Sequence, residues 1–289
     1  MFTKPVLTFC GLTFALSWGL FFSLLPLGFW ESASTFAIGA TLFMLGPAIA
    51  AVICARIFDK GHMLKTLAFK PIWNRWMVVA WAVPLLICLG ALLLSLLGKD
   101  IHLVSLREGL LSSGALPAGT TLPPYIDVIL VIQAISLGAA INGVLLISEE
   151  LGWRGFLWSK LIAHGFWKTA LFTGIVWGFW HAPLIYMGHN YPGLPIAGIF
   201  LMVGFTLLVS PIIGYVRLKN GSVWAASLFH GTLNAVAGLS VLALARTDAP
   251  LPLTWKGILG LGGVMALALA CLWVYFSLRA DQKSLQPPE

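Results

Sequence analysis

Six polar residues lie within or beside apolar stretches of this chain, although only 9% of its residues are charged. Desolvating an ionisable side chain inside a membrane costs several kcal/mol, so intramembrane acids and imidazoles usually belong to a functional site. Two of the six are adjacent glutamates, and an arginine follows them by about one helical turn. Two others are histidines, and an asparagine follows the second histidine by one turn. The six are Glu149, Glu150, Arg154, His181, His230 and Asn234.

These residue types could hydrolyse an acyl bond. A carboxylate in a dry site is a strong base near neutral pH, so Glu149 could take a proton from water while His181 holds that water. His230 and Asn234 could donate hydrogen bonds to the oxygen that becomes negative. Alternatively, Glu149, His181 and His230 form a two-histidine, one-carboxylate set that zinc accepts. Because asparagine is a poor zinc ligand, the metal-free version is favoured.

Each of these residues could instead have a purely structural role and take no part in catalysis. Glu150 and Arg154 are spaced i,i+4, which is typical of an ion pair on one helix face, and we predict this supporting role for them. Glu149 points about 100° away and cannot share that bond in the same way. A histidine among aromatic residues often only packs, and His230 with Asn234 could link two helices by hydrogen bonds.

Composition indicates an all-α membrane protein. Hydrophobic residues make up 59% of the 289 positions, and apolar runs of about 20 residues, long enough to cross a bilayer as helices, recur along the chain. A β-barrel is disfavoured because these runs do not alternate. The eight predicted spans are 5–29, 34–57, 77–97, 124–147, 170–187, 194–216, 222–244 and 255–278.

The distribution of lysine and arginine predicts the orientation. With eight spans both termini lie on one side, and that side holds most basic residues, which indicates that it is cytoplasmic. The chain is therefore predicted to be a multi-pass protein of the cell membrane with both termini in the cytoplasm. The net charge of +7 suits anionic lipid headgroups and indicates no nucleic-acid partner. The other side holds Lys99, Arg107, Arg246 and Lys256.

The depth of the polar residues supports one shared site. Glu149 lies 11 residues before Lys160, and His230 lies 11 residues after Lys219. His181 lies 13 residues after Lys168. At about 1.5 Å per residue, all three are roughly 16–20 Å from the same membrane face. This agreement requires the fourth span to run nearer 135–160, with both acids buried.

Other intramembrane hydrolases have motifs that the sequence lacks. No His-Glu-x-x-His, Gly-x-Ser-x-Gly or Gly-x-Gly-Asp segment occurs. A proton-coupled transporter is disfavoured because the chain shows no duplicated halves. The four cysteines are not spaced for a metal or redox site.

Three motifs resemble those of the CPBP family of intramembrane endopeptidases, which contains CAAX prenyl proteases and relatives linked to bacteriocin processing or self-immunity. The resemblance covers roughly 125–245. One departure is visible, because the family usually has phenylalanine four residues before the histidine of the second motif and this chain has Trp177. The motifs are Glu149 to Arg154 (EELGWR), Trp177 to His181 (WGFWH) and His230 to Asn234 (HGTLN).

The resemblance implies a glutamate-dependent endopeptidase. Glu149 would be the catalytic base, His181 would help to hold water, and His230 with Asn234 would stabilise the oxyanion. Glu150 and Arg154 would support the site. The family has been described both with and without a metal, and we favour no cofactor, with zinc on Glu149, His181 and His230 as the alternative.

The sequence thus predicts a single transmembrane domain, 1–289, with a CPBP-like catalytic core at 125–245. About eight helices would surround a conical polar cavity open to the cytoplasmic side. Its partners would be the lipid bilayer and a peptide or protein substrate. The alternative function is a catalytically silent membrane scaffold or bacteriocin-immunity protein, whose protective effect would survive replacement of Glu149 and His230.

Overall fold

The computed structural model describes residues 1–99, 101–117, 119–245 and 256–284. Over these ranges the chain is helical and forms no β-strand, apart from an isolated bridge between Leu103 and Leu244. The helices are α1 (Lys4–Leu24), α2 (Ala33–Phe43), α3 (Leu45–Phe58), α4 (Met63–Thr66), α5 (Arg75–Ser95), α6 (Leu106–Ser112), α7 (Ile126–Gln133), α8 (Ala139–Leu145), α9 (Ile147–Glu150), α10 (Trp158–Leu161), α11 (Phe166–Trp180), α12 (Ala182–Tyr186), α13 (Ala197–Asn220), α14 (Val223–Leu242) and α15 (Leu261–Ser284).

The fold is that of a polytopic membrane protein, as predicted. Within the described ranges, seven helical segments are long and apolar enough to cross a membrane. They are Lys4–Leu27, Ser34–Phe58, Arg75–Ser95, Ile126–His164, Ala197–Asn220, Val223–Leu242 and Leu261–Gln282.

The remaining predicted span, 170–187, consists of two shorter helices. α11 ends at Trp180 and α12 begins at Ala182, so the break lies at His181. Pro183 at the start of α12 has no backbone N–H and cannot continue the hydrogen bonding of α11. The α-helical hydrogen bonding is therefore interrupted at His181, one of the histidines in the predicted site.

The fourth span is longer than its apolar run, because α7 to α10 form one helical stretch over Ile126–His164. Two π-helical segments, Ala134–Gly138 and Leu151–Leu157, interrupt the α-helical pattern. Such segments are rare and are frequent at functional sites. The second one begins directly after Glu150, so both acids lie within the membrane-spanning helix, as the depth argument required.

Close helix crossings bring the motifs together. A side chain on Gly231 would lie 2.2 Å from the backbone nitrogen of Gly143, so only glycine allows α14 to cross α8 at this distance. A side chain on Gly178 would likewise approach Val203 of α13 to 2.6 Å. Small residues at crossings are typical of membrane helix packing.

The bundle has two ends that differ in charge. We call the end formed by residues 59–74, 160–168 and 217–222 the basic end. There Lys219 Nζ lies 2.7 Å from Asp281 Oδ1, Lys160 contacts Asp59, and Asn220 Nδ2 donates to Ile72 O at 3.0 Å.

We call the other end, formed by residues 25–32, 101–117, 187–196 and 256–260, the opposite end. Val104 N donates to Ala243 O there at 3.0 Å. Arg246, which the sequence analysis counted on this side, lies outside the described residues.

Candidate active site

Glu149 lies on α9 and is almost fully buried, with 3% of its surface exposed. Its Oε2 accepts a hydrogen bond from Trp177 Nε1 at 2.8 Å and a longer one from Trp153 Nε1 at 3.4 Å. Both donors are indole N–H groups, which donate and cannot accept. They hold one carboxylate oxygen and leave the other, Oε1, to the cavity that Glu149 lines.

Glu150 and Arg154 form the predicted ion pair, with 3.1 Å between Glu150 Oε1 and Arg154 Nη1. Both side chains are fully buried. The same Glu150 oxygen also lies 3.0 Å from His230 Nδ1, a contact that the sequence analysis did not predict. Because an ionised carboxylate only accepts hydrogen bonds, Nδ1 of His230 carries a proton in this pair.

His230 lies on α14, whose start is defined locally. Gly221 ends α13 with a left-handed backbone, φ 90°, and the Ser222 side chain accepts from Trp224 N at 3.2 Å to cap α14. Two turns later His230 is 5% exposed. With Nδ1 directed at Glu150, its Nε2 is the nitrogen left for a substrate, and it can donate only when the ring is doubly protonated.

His181 occupies the break between α11 and α12. Its Nδ1 lies 2.8 Å from Trp177 O, and since a carbonyl only accepts, Nδ1 is the protonated nitrogen. The neutral ring therefore keeps an acceptor at Nε2. This tautomer is the one that can accept a hydrogen bond from a water molecule, as the predicted role of His181 requires.

Trp177 contacts residues of all three motifs. Its ring centre lies 5.0 Å from that of His230 and 5.8 Å from that of His181. The guanidinium carbon of Arg154 lies 4.5 Å from the ring centre of Trp177, within the range of a cation–π contact. Trp177 thus joins the three motifs, although in the sequence it stands out only as a departure from the family pattern.

The predicted catalytic residues share one cavity of about 490 Å³. Glu149, His181, His230 and Asn234 all line it. Asn234 follows His230 by one turn, so both face the same space, and the structure therefore brings the predicted set together. Other polar lining residues that the sequence analysis missed are Asn142, His189 and Asn190.

No sequence signal marked these three residues strongly. Asn142 precedes the first motif by seven positions, and its Nδ2 donates to Gly138 O at 2.8 Å within its own helix. His189 and Asn190 lie in the segment between α12 and α13, eight and nine residues after the second motif. Only the folding of that segment over the cavity identifies them.

The cavity extends from the site toward the opposite end of the bundle. The sequence predicted an opening on the cytoplasmic side, and this stays a prediction, because the orientation rests on the charge distribution of the chain. On α14 its walls continue from His230 through Asn234 to Val241, near the end of the helix. Beyond α12 they include His189, and before α15 they include Ile258. On the side of the acids toward the basic end, Trp153, Phe156 and Leu157 are fully buried.

Zinc on Glu149, His181 and His230 was the predicted alternative to a metal-free site. Over the described ranges, no three or more His, Cys, Asp or Glu side chains form a group that could hold a metal ion. The hydrogen bonds of the three residues involve Glu149 Oε2 and the two Nδ1 atoms, so Glu149 Oε1 and both Nε2 atoms have other roles available. The metal-free mechanism stays a prediction, and no step below involves a metal.

Comparison with known proteins agrees with the motifs. Residues 126–236 match the family model of the Rce1-like type II CAAX prenyl endopeptidases. The chain is also 35% identical over 92 residues to "CAAX prenyl protease 2" of Methanococcus maripaludis. That alignment covers 30% of this chain and 34% of the relative, so the chain matches about a third of the relative's length. Residues 126–236, which carry all three motifs, are therefore similar to the Rce1-like type II CAAX prenyl endopeptidases.

Proposed function

We propose that this protein is an intramembrane endopeptidase that hydrolyses a peptide bond with water activated by Glu149. The observation that carries the proposal is the convergence of Glu149, His181, His230 and Asn234 on one cavity within the membrane. The family match and the related protease support the reaction class.

The reaction begins with a water molecule between Glu149 Oε1 and His181 Nε2. Glu149 takes a proton from this water, and the resulting hydroxide forms a bond to the carbonyl carbon of the peptide. The carbonyl π electrons move to oxygen and give a tetrahedral oxyanion. When the C–N bond breaks, Glu149 returns its proton to the leaving amine, so that the products are a carboxylic acid and an amine.

His230 and Asn234 are placed to stabilise the oxyanion. Asn234 can donate through its side-chain amide, and His230 through Nε2 when its ring is charged. Glu150 Oε1 lies 3.0 Å from Nδ1 and so holds the ring with Nε2 free for the substrate. Glu150 and Arg154 are thus positioning residues, since they act through His230 and do not contact the reacting atoms.

Internal cleavage suits the chemistry of the cavity. Glu149 is the one acidic residue among the described lining residues, and none of those residues is lysine or arginine. A site that removes single residues from a carboxyl terminus usually needs a cation for the terminal carboxylate. The uncharged walls instead favour the interior of an extended peptide, which is the substrate we propose.

The most direct test compares membrane fractions of cells that contain the wild-type protein or Glu149→Gln. Peptides cleaved only with the wild type would identify the substrate, and a peptide set that is the same for both proteins would contradict the proposal. Metal analysis of the purified active protein tests the metal-free mechanism, which a stoichiometric transition metal would rule out.

Asn234→Ala is expected to leave measurable activity. Loss of one oxyanion donor typically costs about 100- to 1000-fold in kcat, and His230 would remain as a donor. Single-turnover cleavage of an identified substrate measures the effect. Asn142→Ala is the matched control, because Asn142 lines the same cavity but bonds within its own helix. Equal losses in both variants would remove Asn234 from the oxyanion site.

Trp177→Phe is expected to lower kcat by about 10- to 100-fold with little change in KM. Phenylalanine keeps the ring but loses the 2.8 Å hydrogen bond to Glu149, and a bond to a charged group is worth about 1.5–3 kcal/mol. Trp153→Phe is the control, because its bond to the same oxygen is longer, at 3.4 Å. A change confined to KM would show that Trp177 binds substrate instead of orienting the carboxylate.

A further inference from the structure

The position of the site along its helices does not indicate from which membrane face a substrate enters. His230 lies near the middle of α14, between Val223 at the basic end and Leu242 at the opposite end. Helix length alone is therefore compatible with entry of a substrate from either side. The shape of the cavity and the packing around it indicate the side of entry.

The basic end of the bundle is closed beneath the site. The π-helical segment that follows Glu150 places Trp153, Phe156 and Leu157 in the core, and none of the three is exposed. Phe229, directly before His230 on α14, is equally buried. A densely packed layer of large side chains thus separates the reactive residues from the basic end, and a peptide cannot pass through it without repacking.

The cavity continues in the other direction. Its walls past the site include Leu184 on α12, Ala237 and Val241 on α14, and Leu259 before α15. His189 and Asn190 line its far part, in the segment between α12 and α13. These positions all lie between the reactive residues and the opposite end of the bundle.

Charge assigns the two ends to the two sides of the membrane. Apart from the buried Arg154, twelve lysines and arginines lie in or next to the segments that meet at the basic end, against four assigned to the other side. Lysine and arginine are retained on the cytoplasmic side, so the basic end should face the cytoplasm. The twelve are Lys4, Arg56, Lys60, Lys65, Lys70, Arg75, Lys160, Lys168, Arg217, Lys219, Arg279 and Lys283.

We propose that the substrate reaches Glu149 from the opposite end of the bundle, which faces away from the cytoplasm. Its class is then an exported peptide, or a segment of a membrane protein that projects from the outer face. This inference rests on the proposed function and adds the side of the membrane on which the cleaved bond lies. A soluble cytoplasmic protein would not reach the cavity.

The chemistry of the far part of the cavity fits such a peptide. Burial lowers the pKa of His189, so its imidazole is neutral at pH 7 and offers one donor and one acceptor. The Asn190 side chain offers both as well. Neutral donors and acceptors match the amide groups of an extended chain and provide no counter-charge for an anionic headgroup.

A pair of histidine-to-cysteine substitutions tests the inference. His189→Cys places a thiol in the cavity, and the exposed His62→Cys places one at the basic end. The background is the full-length protein with Cys10, Cys54, Cys88 and Cys271 replaced by alanine. If that protein does not fold, Cys54 and Cys88 can be kept, because both are buried.

Intact cells are treated with a membrane-impermeant maleimide before and after permeabilisation. We expect His189→Cys to be labelled in intact cells and His62→Cys only after permeabilisation. Labelling of His62→Cys in intact cells, or of His189→Cys only after permeabilisation, would overturn the inference, as would a lack of labelling of His189→Cys under both conditions.

The peptides whose cleavage requires Glu149 provide a second readout. We expect their cleavage sites to lie in exported or outward-facing segments, and sites confined to cytoplasmic segments would contradict the inference. The two proposals fail separately. Cleavage that is unaffected by Glu149→Gln would refute the endopeptidase and leave the labelling result standing, whereas reversed labelling with a Glu149-dependent peptidase would refute only the direction of entry.

Discussion

Glu149→Gln is expected to reduce peptide cleavage by about 100- to 10,000-fold, the range typical of the loss of a general base. Glutamine has nearly the same shape as glutamate, and its side-chain oxygen can still accept the hydrogen bond from Trp177 Nε1. It cannot take a proton from water. Fold and cavity should therefore persist while the chemical step fails, and single-turnover kinetics should show a loss in kcat with the substrate still bound.

A matched control separates this effect from a general loss of negative charge. Glu108 is exposed near the start of α6 and does not line the cavity, so Glu108→Gln should cleave at the wild-type rate. Equal loss in both variants would point to expression or insertion as the cause. Wild-type activity in Glu149→Gln would reject Glu149 as the base.

Arg154→Met is expected to destabilise the protein by about 3–5 kcal/mol, the usual cost of removing one partner of a buried ion pair. The methionine fills much of the volume of the arginine side chain but leaves the fully buried Glu150 carboxylate with His230 alone. The cation–π contact with Trp177 is lost as well. Unfolding in mixed micelles with increasing SDS would measure the change in free energy.

Two further variants identify the cause of this loss of stability. Lys219→Met removes a partly exposed partner of Asp281 and should cost no more than about 1 kcal/mol. Glu150→Gln combined with Arg154→Met removes both buried charges and should recover part of the lost stability. If the double variant were as unstable as Arg154→Met, loss of packing and not the unpaired carboxylate would explain the result.

Much of the site could be predicted because it depends on local rules. The i,i+4 spacing on one helix predicted the pairing of Glu150 with Arg154, and the same spacing placed Asn234 on the face of His230. Each of these relations involves a single helix, whose geometry the sequence pattern specifies directly. The break at His181 was likewise predictable, since it follows from the covalent structure of Pro183.

The contacts between helices could not be predicted in this way. Trp177 differs from the family pattern by one aromatic residue, and nothing in its chain position indicates that its indole N–H lies 2.8 Å from Glu149. The contact between His230 and Glu150 joins residues 80 positions apart. It depends on the crossing of α14 with α8, where Gly231 meets Gly143.

The sequence by itself determined the class of molecule, the depth of the polar residues and the distribution of charge between the two faces, because hydropathy, residue count and lysine or arginine content are properties of the chain alone. The side on which the cavity opens was decided only by the tertiary structure. The depth of a residue near the middle of a helix does not indicate from which face of the membrane it is reached. The packing of the helices determines this, because Trp153 and Phe156 fill the space on one side of Glu149 while a cavity lies on the other side.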